Sequence, residues 1–600
     1  MKTLERWAVA AVAGVMMAVA PALAGNGGTV AFIEIEDELA ERPAPMSWLA
    51  GERETATLRG LTGLLERIAS GNSYDGVVIR LKDAKLTRSN VQEVGRALAR
   101  VRESGKRVHL FAEGYGPTEL MLGCAADEVI LQAGGAVTLP GVYIEEMYLA
   151  DTLAWAGVTA DMVQVGAYKG ASETLARREP SPEWNQNIES LLDSLYGSMR
   201  ETIKAGRRLD DAGLDEAMRR AWLAQGDEAI AAGLIDRELD WPELDAHLES
   251  VYGGDVKWRA LGGKEQVKPA DTNPFALLNK MMRPVEHAPK RATIAVVHID
   301  GAIVDGDSTP GGLFGEESVG SRTIRRALAE LEENELIKGV VLRINSPGGS
   351  AIASEVIWRG VRRVAAKKPV WVSVGSMAAS GGYYIAVSGD RIYVNPSSIV
   401  GSIGVVGGKL ALGGLMEKLK INVVGRGRGP MASMFSSTAP WTEAERAMVR
   451  ERMTETYNLF AARVTQGRPG IDLSKTAEGR LFTGDRAVEL KMADRIGTID
   501  DAIADLAAEL GLRDGAYDVL DYPAPKSFGE LLEDMFGGFA TAGAPVRGGG
   551  DGGLLAQAAG VLEPLLGEAG WAQVRASLRA LMELRREPVL LVSPRVLIVR

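Results

Sequence analysis

Short aliphatic runs alternate along this chain with longer stretches whose apolar residues recur every three or four positions. Val30-Ala-Phe-Ile-Glu-Ile-Glu36, Gly76-Val-Val-Ile-Arg-Leu81, Arg107 to Ala112 and Glu128-Val-Ile-Leu131 read as strands. Leu58 to Ile68 and Ser89 to Arg102 read as amphipathic helices, the second with Val91, Val94, Leu98 and Val101 on one face. Strands separated by helices of this length predict βαβ units, hence the α/β class and a mainly parallel sheet covered on both faces.

The same order returns in the second half. Ile294-Ala-Val-Val-His-Ile-Asp300 matches the first strand at an offset of 264, while Gly339-Val-Val-Leu-Arg-Ile344 and Asp390-Arg-Ile-Tyr-Val394 match the second and fourth at 263. Phe482-Thr-Gly-Asp485 echoes Ala224-Gln-Gly-Asp227 near 258. A period this long marks duplication. The pattern predicts two homologous α/β domains, 29–255 and 290–512, joined by a linker at 256–289. Residues 513–600 form an extension: a glycine-rich linker from Gly537 to Gly553, a helical pattern from Leu554 to Arg586, and an alternating Pro588–Arg600 that reads as an edge strand.

Composition narrows the function. Acidic residues outnumber basic ones, 79 to 68, and no dense Lys/Arg stretch offsets the net charge of −11, which argues against a nucleic-acid partner. The single cysteine, Cys124, excludes an intrachain disulfide, and four scattered histidines have no metal-ligand spacing, so no metal or cofactor is implied. Residues 1–24 carry a charged start, an apolar run from Trp7 to Ala20 and Ala22-Leu23-Ala24. They read as a signal peptide, with an uncleaved anchor as the alternative; either places the body of the chain outside the cytoplasm.

Candidate chemistry centres on Ser380. The strand Pro369 to Val374 leads through Gly375-Ser376-Met377 to Ser380-Gly-Gly382, where a helical pattern begins, and the preceding strand ends in Asn345-Ser-Pro-Gly-Gly349. A serine at a strand-to-helix step beside a glycine turn reads as a nucleophile facing backbone N–H groups. In the first copy the position of Ser380 holds Pro117, and Lys82 to Leu86 replaces the glycine turn. That copy instead keeps Val165-Gly-Ala-Tyr-Lys169, opposite Val424-Gly-Arg-Gly-Arg428. Burial can make a lysine neutral, whereas arginine stays charged, and no histidine lies near either glycine motif. Lys169 is therefore the candidate base, and the site is completed between the halves. Met377, Val400 and Met431 fit an apolar substrate groove or, equally, core.

These motifs, with Gly401-Ser-Ile-Gly404, resemble the signal peptide peptidase A (protease IV) family in its long duplicated form, over about Thr29 to Leu512. The resemblance implies two tandem crotonase-like or Clp-protease-like domains and a serine-lysine dyad of Ser380 and Lys169. It also implies oxyanion-hole N–H donors at Gly349 and Gly381, and Ser402 orienting the lysine. Its further implications are an envelope (periplasmic) endopeptidase for cleaved signal peptides, a homo-tetramer, and association with a membrane surface. An acyl-CoA enzyme on the same fold and an inert assembly scaffold are the alternatives.

Overall fold

A computed structural model describes residues 27–43, 57–262, 287–309, 318–524 and 589–592. Residues 1–24 and the stretches read as glycine linker and terminal helices lie outside the described residues.

In the first half the aliphatic runs become β1 (Thr29–Glu38), β2 (Gly76–Lys85), β3 (Arg107–Tyr115) and β4 (Glu128–Val137), followed by β5 (Thr159–Val165), β6 (Ala224–Gln225), β7 (Arg237–Leu239) and β8 (Lys257–Leu261). Between them run α1 (Leu58–Ser70), α2 (Arg88–Glu103), α3 (Pro117–Gly123), α4 (Ala150–Ala156) and α5 (Pro182–Arg207). Local chemistry starts the helices. Thr87 and Asn90 cap α2 reciprocally, each side chain accepting the other's backbone N–H. Seven strands form a sheet in the order β6-β4-β3-β2-β1-β8, with β7 beside β4, parallel except at β6.

The second half repeats the plan with β9 (Thr293–Asp300), β10 (Ala302–Val304), β11 (Ser318–Gly320), β12 (Ile337–Ser346), β13 (Gly348–Ser350), β14 (Val370–Ala379), β15 (Arg391–Val394), β16 (Ile399–Gly401) and β17 (Val405–Ala411). Its remaining strands are β18 (Leu481–Thr483), β19 (Arg495–Ile496), β20 (Asp518–Tyr522) and β21 (Val589–Val592). The helices that bear on the site are α6 (Ser321–Glu333), α7 (Ala351–Ala365), α8 (Gly381–Ala386), α9 (Gly413–Lys418), α10 (Glu443–Gly467) and α11 (Ile499–Glu509). An eight-stranded sheet runs β18-β16-β14-β12-β9-β20, with β15 beside β14 and β19 beside β15. Its order copies the first sheet, except that β15 and β16 both flank β14 where β4 alone flanks β3.

Three features depart from the sequence reading. Strand β8 lies in the stretch read as linker and β20 in the stretch read as extension, because each five-residue strand is too short to show a period. Asn345 to Gly349 is no simple turn: β12 continues to Ser346, and Gly348 to Ser350 form a strand of another sheet. The third feature is β21, an interior strand rather than an edge.

That other sheet joins the halves. It has six strands in the order β11-β10-β13-β21-β17-β5, and β5 of the first half pairs antiparallel with β17 of the second over seven residues, from Val405 opposite Val165 to Ala411 opposite Thr159. A second seam lies behind β14. Arg343 on β12 is buried, its fork on Glu41 at 2.8 Å and another nitrogen 2.8 Å from Glu93 of α2. Burial works to raise the Glu41 carboxyl, but the Arg343 charge, its hydrogen bonds and the other nearby cations together outweigh it and leave the group lowered. Glu93 is pushed up by burial, and Arg343 offsets this only in part. Ser89 with Ser376 (2.7 Å) and Gln92 with Ser397 (2.8 Å) extend this seam along α2.

Candidate active site

Ser380 sits alone between the last residue of β14 and the first of α8, with φ 54° and ψ −113°. That region strains a non-glycine residue by about 1–3 kcal/mol, so the surroundings must hold it there. The Ser380 N–H donates to the Gly401 carbonyl at 2.7 Å, and its own carbonyl accepts from Tyr384 at 2.8 Å. A sharp, strained strand-to-helix turn presents a hydroxyl away from its own backbone.

Lys169 reaches that hydroxyl from the other half. Its loop follows β5, so the pairing of β5 with β17 carries it across. Its Nζ lies 2.7 Å from Ser380 Oγ, 2.8 Å from Ser402 Oγ and 2.9 Å from the Ser402 carbonyl, with Lys169 and Ser380 both fully buried. Burial pushes the amine well below the usual lysine range. A neutral amine has two N–H donors and one lone pair. Three contacts match that inventory when the amine donates to the two Ser402 oxygens and the Ser380 O–H donates to Nζ.

The glycines make room. A side chain at Gly349 would lie 1.9 Å from the Ile303 carbonyl, and one at Gly381 would lie 3.2 Å from the Gly349 nitrogen, so the two backbones nearly touch. As the first residue of α8, Gly381 has no intrahelical acceptor for its N–H. At Gly404 a side chain would meet Lys169 Cδ at 3.1 Å. Ser402, like Ser380, has a positive φ, 53°, and is buried, its N–H donating to the Arg480 carbonyl at 2.6 Å. The counterpart of the base loop in the second half is not used in this way, since Arg428 is exposed.

A family model for peptidase family S49 matches residues 100–251 and 362–513, about half of the chain, one match in each repeat. The chain belongs to peptidase family S49. A Clp protease model also matches residues 316–400 of this S49 chain. The fold is the two tandem Clp-protease-like domains that the resemblance implied. Among relatives, Protease 4 of Haemophilus influenzae is 30% identical over 68% of this chain and 66% of its own length. The chloroplastic serine protease SPPA of Arabidopsis thaliana is 26% identical over 72% of this chain and 62% of its own. A putative signal peptide peptidase SppA of Enterococcus faecium is 31% identical over 40% and 69%. This S49 chain thus spans about two thirds of the length of these relatives.

Sequence reasoning missed the brace behind the base. Glu478 accepts the Ala167 N–H with its carboxylate and the Tyr168 N–H with its carbonyl, at 3.2 and 2.7 Å, and Arg480 stacks 3.9 Å over the Tyr168 ring. Gly479, at φ 91°, has no room for a side chain against Lys169, whose backbone would lie 2.5 Å away. The signal available was Ala477-Glu-Gly-Arg-Leu481, a glycine inside a charged turn before β18. Of the apolar groove candidates, Val400 belongs to the core, and Met377 packs beside Trp184, Ile188 and Ile399.

Proposed function

We propose that this S49 chain is a serine endopeptidase with Ser380 as nucleophile and Lys169 as general base. The observation that carries the reading is the buried 2.7 Å approach of Lys169 Nζ to Ser380 Oγ, made by residues of different repeats. Neutral Lys169 takes the Ser380 proton as Oγ attacks a peptide carbonyl, and the Gly349 and Gly381 N–H groups hold the resulting oxyanion. Lys169 then gives its proton to the leaving amine. Water, deprotonated by Lys169 in turn, releases the acyl group from Ser380. Ser402 keeps the amine aimed by accepting its two other hydrogens. The acyl-CoA alternative calls for carboxylate acid/base groups at the loops, and among the described residues the Lys169 amine contacts only Ser380 and Ser402.

The substrate reading follows the resemblance: cleaved signal peptides and other extended peptides, met in the cell envelope at the membrane surface. Among the described residues no helix is long and apolar enough to cross a membrane. Assembly into a homo-tetramer is part of the same reading, and one surface supports it. In the second repeat the counterpart of β5 is 418–424, which joins no sheet among the described residues and exposes Leu419, Ile421, Val423 and Val424. In the first repeat the counterpart of β17 is 142–148, also unpaired among the described residues. One copy offering the first to the second of its neighbour would repeat the β5–β17 pairing between chains.

A fluorophosphonate probe tests the chemistry. It should label the parent chain, fail on Ser380→Ala, and label Lys169→Ala at least about a thousandfold more slowly, with peptide cleavage falling alike. Cleavage undiminished in either variant would overturn the dyad.

A further inference from the structure

The six-stranded sheet is continuous only because β21 is in it. On one side Gly348, Gly349 and Ser350 of β13 lie opposite Val592, Leu591 and Leu590; on the other, Val406 and Gly407 of β17 lie opposite Leu590 and Val589. Strands β13 and β17 do not pair with each other. Without β21 the sheet would part into β11-β10-β13 and β17-β5, leaving a slot one strand wide. Two inter-strand spacings put its walls about 10 Å apart.

The walls of this slot are the walls of the site. Strand β13 contains Gly349, whose nitrogen lies against Gly381 beside Ser380. Strand β17 begins at Val405, directly after Gly404, which packs on the Lys169 side chain. Both walls present unpaired backbone N–H and C=O groups when the slot is empty, and those groups need partners. An extended peptide entering antiparallel to both would satisfy them and pass its backbone beside Gly349. Such strand addition to two facing edges is how a sheet holds a peptide largely irrespective of its sequence. Strand β21 does this now, with Leu591 opposite Gly349.

We propose that the segment around Val589–Val592 is an internal competitor for the peptide-binding slot, so that the resting chain is held closed by its own strand. This rests on the endopeptidase reading of the site for its consequence, though not for its geometry. The competition is intramolecular, so it does not dilute away. An apparent affinity falls in proportion to the open fraction, and a slot filled about nine-tenths of the time weakens substrate binding about tenfold. The effect falls on KM, since a chain whose slot has opened carries the same Ser380 and Lys169.

The test compares three chains in a Ser380→Ala background, so that nothing is turned over. They are the full chain, the chain ended after residue 588, and the full chain carrying Leu590→Pro with Leu591→Pro, which removes two strand N–H groups. The probe is a fluorescent peptide of residues 586–594, read by anisotropy. The shortened and the proline chains should each bind it at least about tenfold more tightly than the full chain. Equal affinity across the three, or no binding to either altered chain when its thermal unfolding remains cooperative, overturns the proposal. The same chains with Ser380 restored separate the two readings. A lower KM at unchanged kcat supports both. Tighter anisotropy binding with no cleavage and no fluorophosphonate labelling would sink the endopeptidase reading while the slot assignment stands. Cleavage with KM unmoved by either alteration would sink the slot assignment alone.

Discussion

Among the described residues Lys169 has no carboxylate to keep it charged, and its folded-state proton affinity is set by burial. The unfolded chain keeps an ordinary lysine, so between the lowered folded pKa and the ordinary one the unfolded state holds the extra proton. Native stability therefore rises with pH through that window, and the burial penalty is felt in full below it. Lys169→Met should abolish cleavage and yet melt at a higher temperature than the parent at about pH 7, with the gap narrowing towards about pH 10. A variant that melts lower at neutral pH would show that the amine is not a buried cost. For the parent, kcat/KM should climb with pH as the amine loses its proton, and an acid optimum would exclude a lysine base. Gly404→Ala is a finer probe, since the added methyl group meets Lys169 Cδ at 3.1 Å and the Val165 carbonyl at 3.0 Å. It should lower kcat about ten- to a hundredfold through a displaced amine, with KM nearly unchanged. Ser380 and Lys169 were legible in the sequence because each stands in one repeat and is replaced in the other. The Glu478–Arg480 brace was not, since it works through backbone groups and a ring face that leave no spacing to read.

At the scale of elements, the seam along α2 decides how firmly β14 is held, and β14 ends at Ala379, next to Ser380. Arg343 there serves two buried carboxylates, Glu41 and Glu93, of which Glu93 is the one pushed towards its neutral form. Removing the cation strands both acids in the interior, so Arg343→Met should cost about 3–5 kcal/mol. Glu93→Gln removes the poorly paired charge and keeps an oxygen for Arg343, so it should change stability by less than about 1 kcal/mol. Denaturant midpoints measure both, and equal losses in the two variants would contradict this division. The seam escapes a reading by periodicity, since Glu41, Glu93 and Arg343 lie on a loop, a helix and a strand far apart in sequence. The strands themselves were legible because a sheet buried on both faces needs unbroken aliphatic runs such as Ile294 to Val297. Strand β21 shows the limit: its alternation marked a strand, but only the two facing backbones it pairs with make it interior.

For the whole molecule, duplication explains both the site and the surface left over. The pairing of β5, the strand before the lysine loop, with β17 is used up inside the chain, while their counterparts 418–424 and 142–148 join no sheet among the described residues. A head-to-tail contact of this kind is heterologous, so it closes into a ring only if the rotation between copies divides the circle, and otherwise propagates. Val423 and Val424 are more than half exposed, at 54% and 77%, and stand where β5 carries Gln164 and Val165 in the first repeat. Val423→Asp with Val424→Asp places charge on that segment and should convert an assembled parent to single chains in light scattering. Fluorophosphonate labelling of Ser380 should persist in those single chains, because Lys169 and Ser380 belong to one chain and the β5–β17 pairing is untouched. A parent that is monomeric at every concentration would remove the reason for the exposed apolar segment. Labelling that vanished with assembly would mean that a neighbouring copy, and not the internal seam, holds the lysine in place.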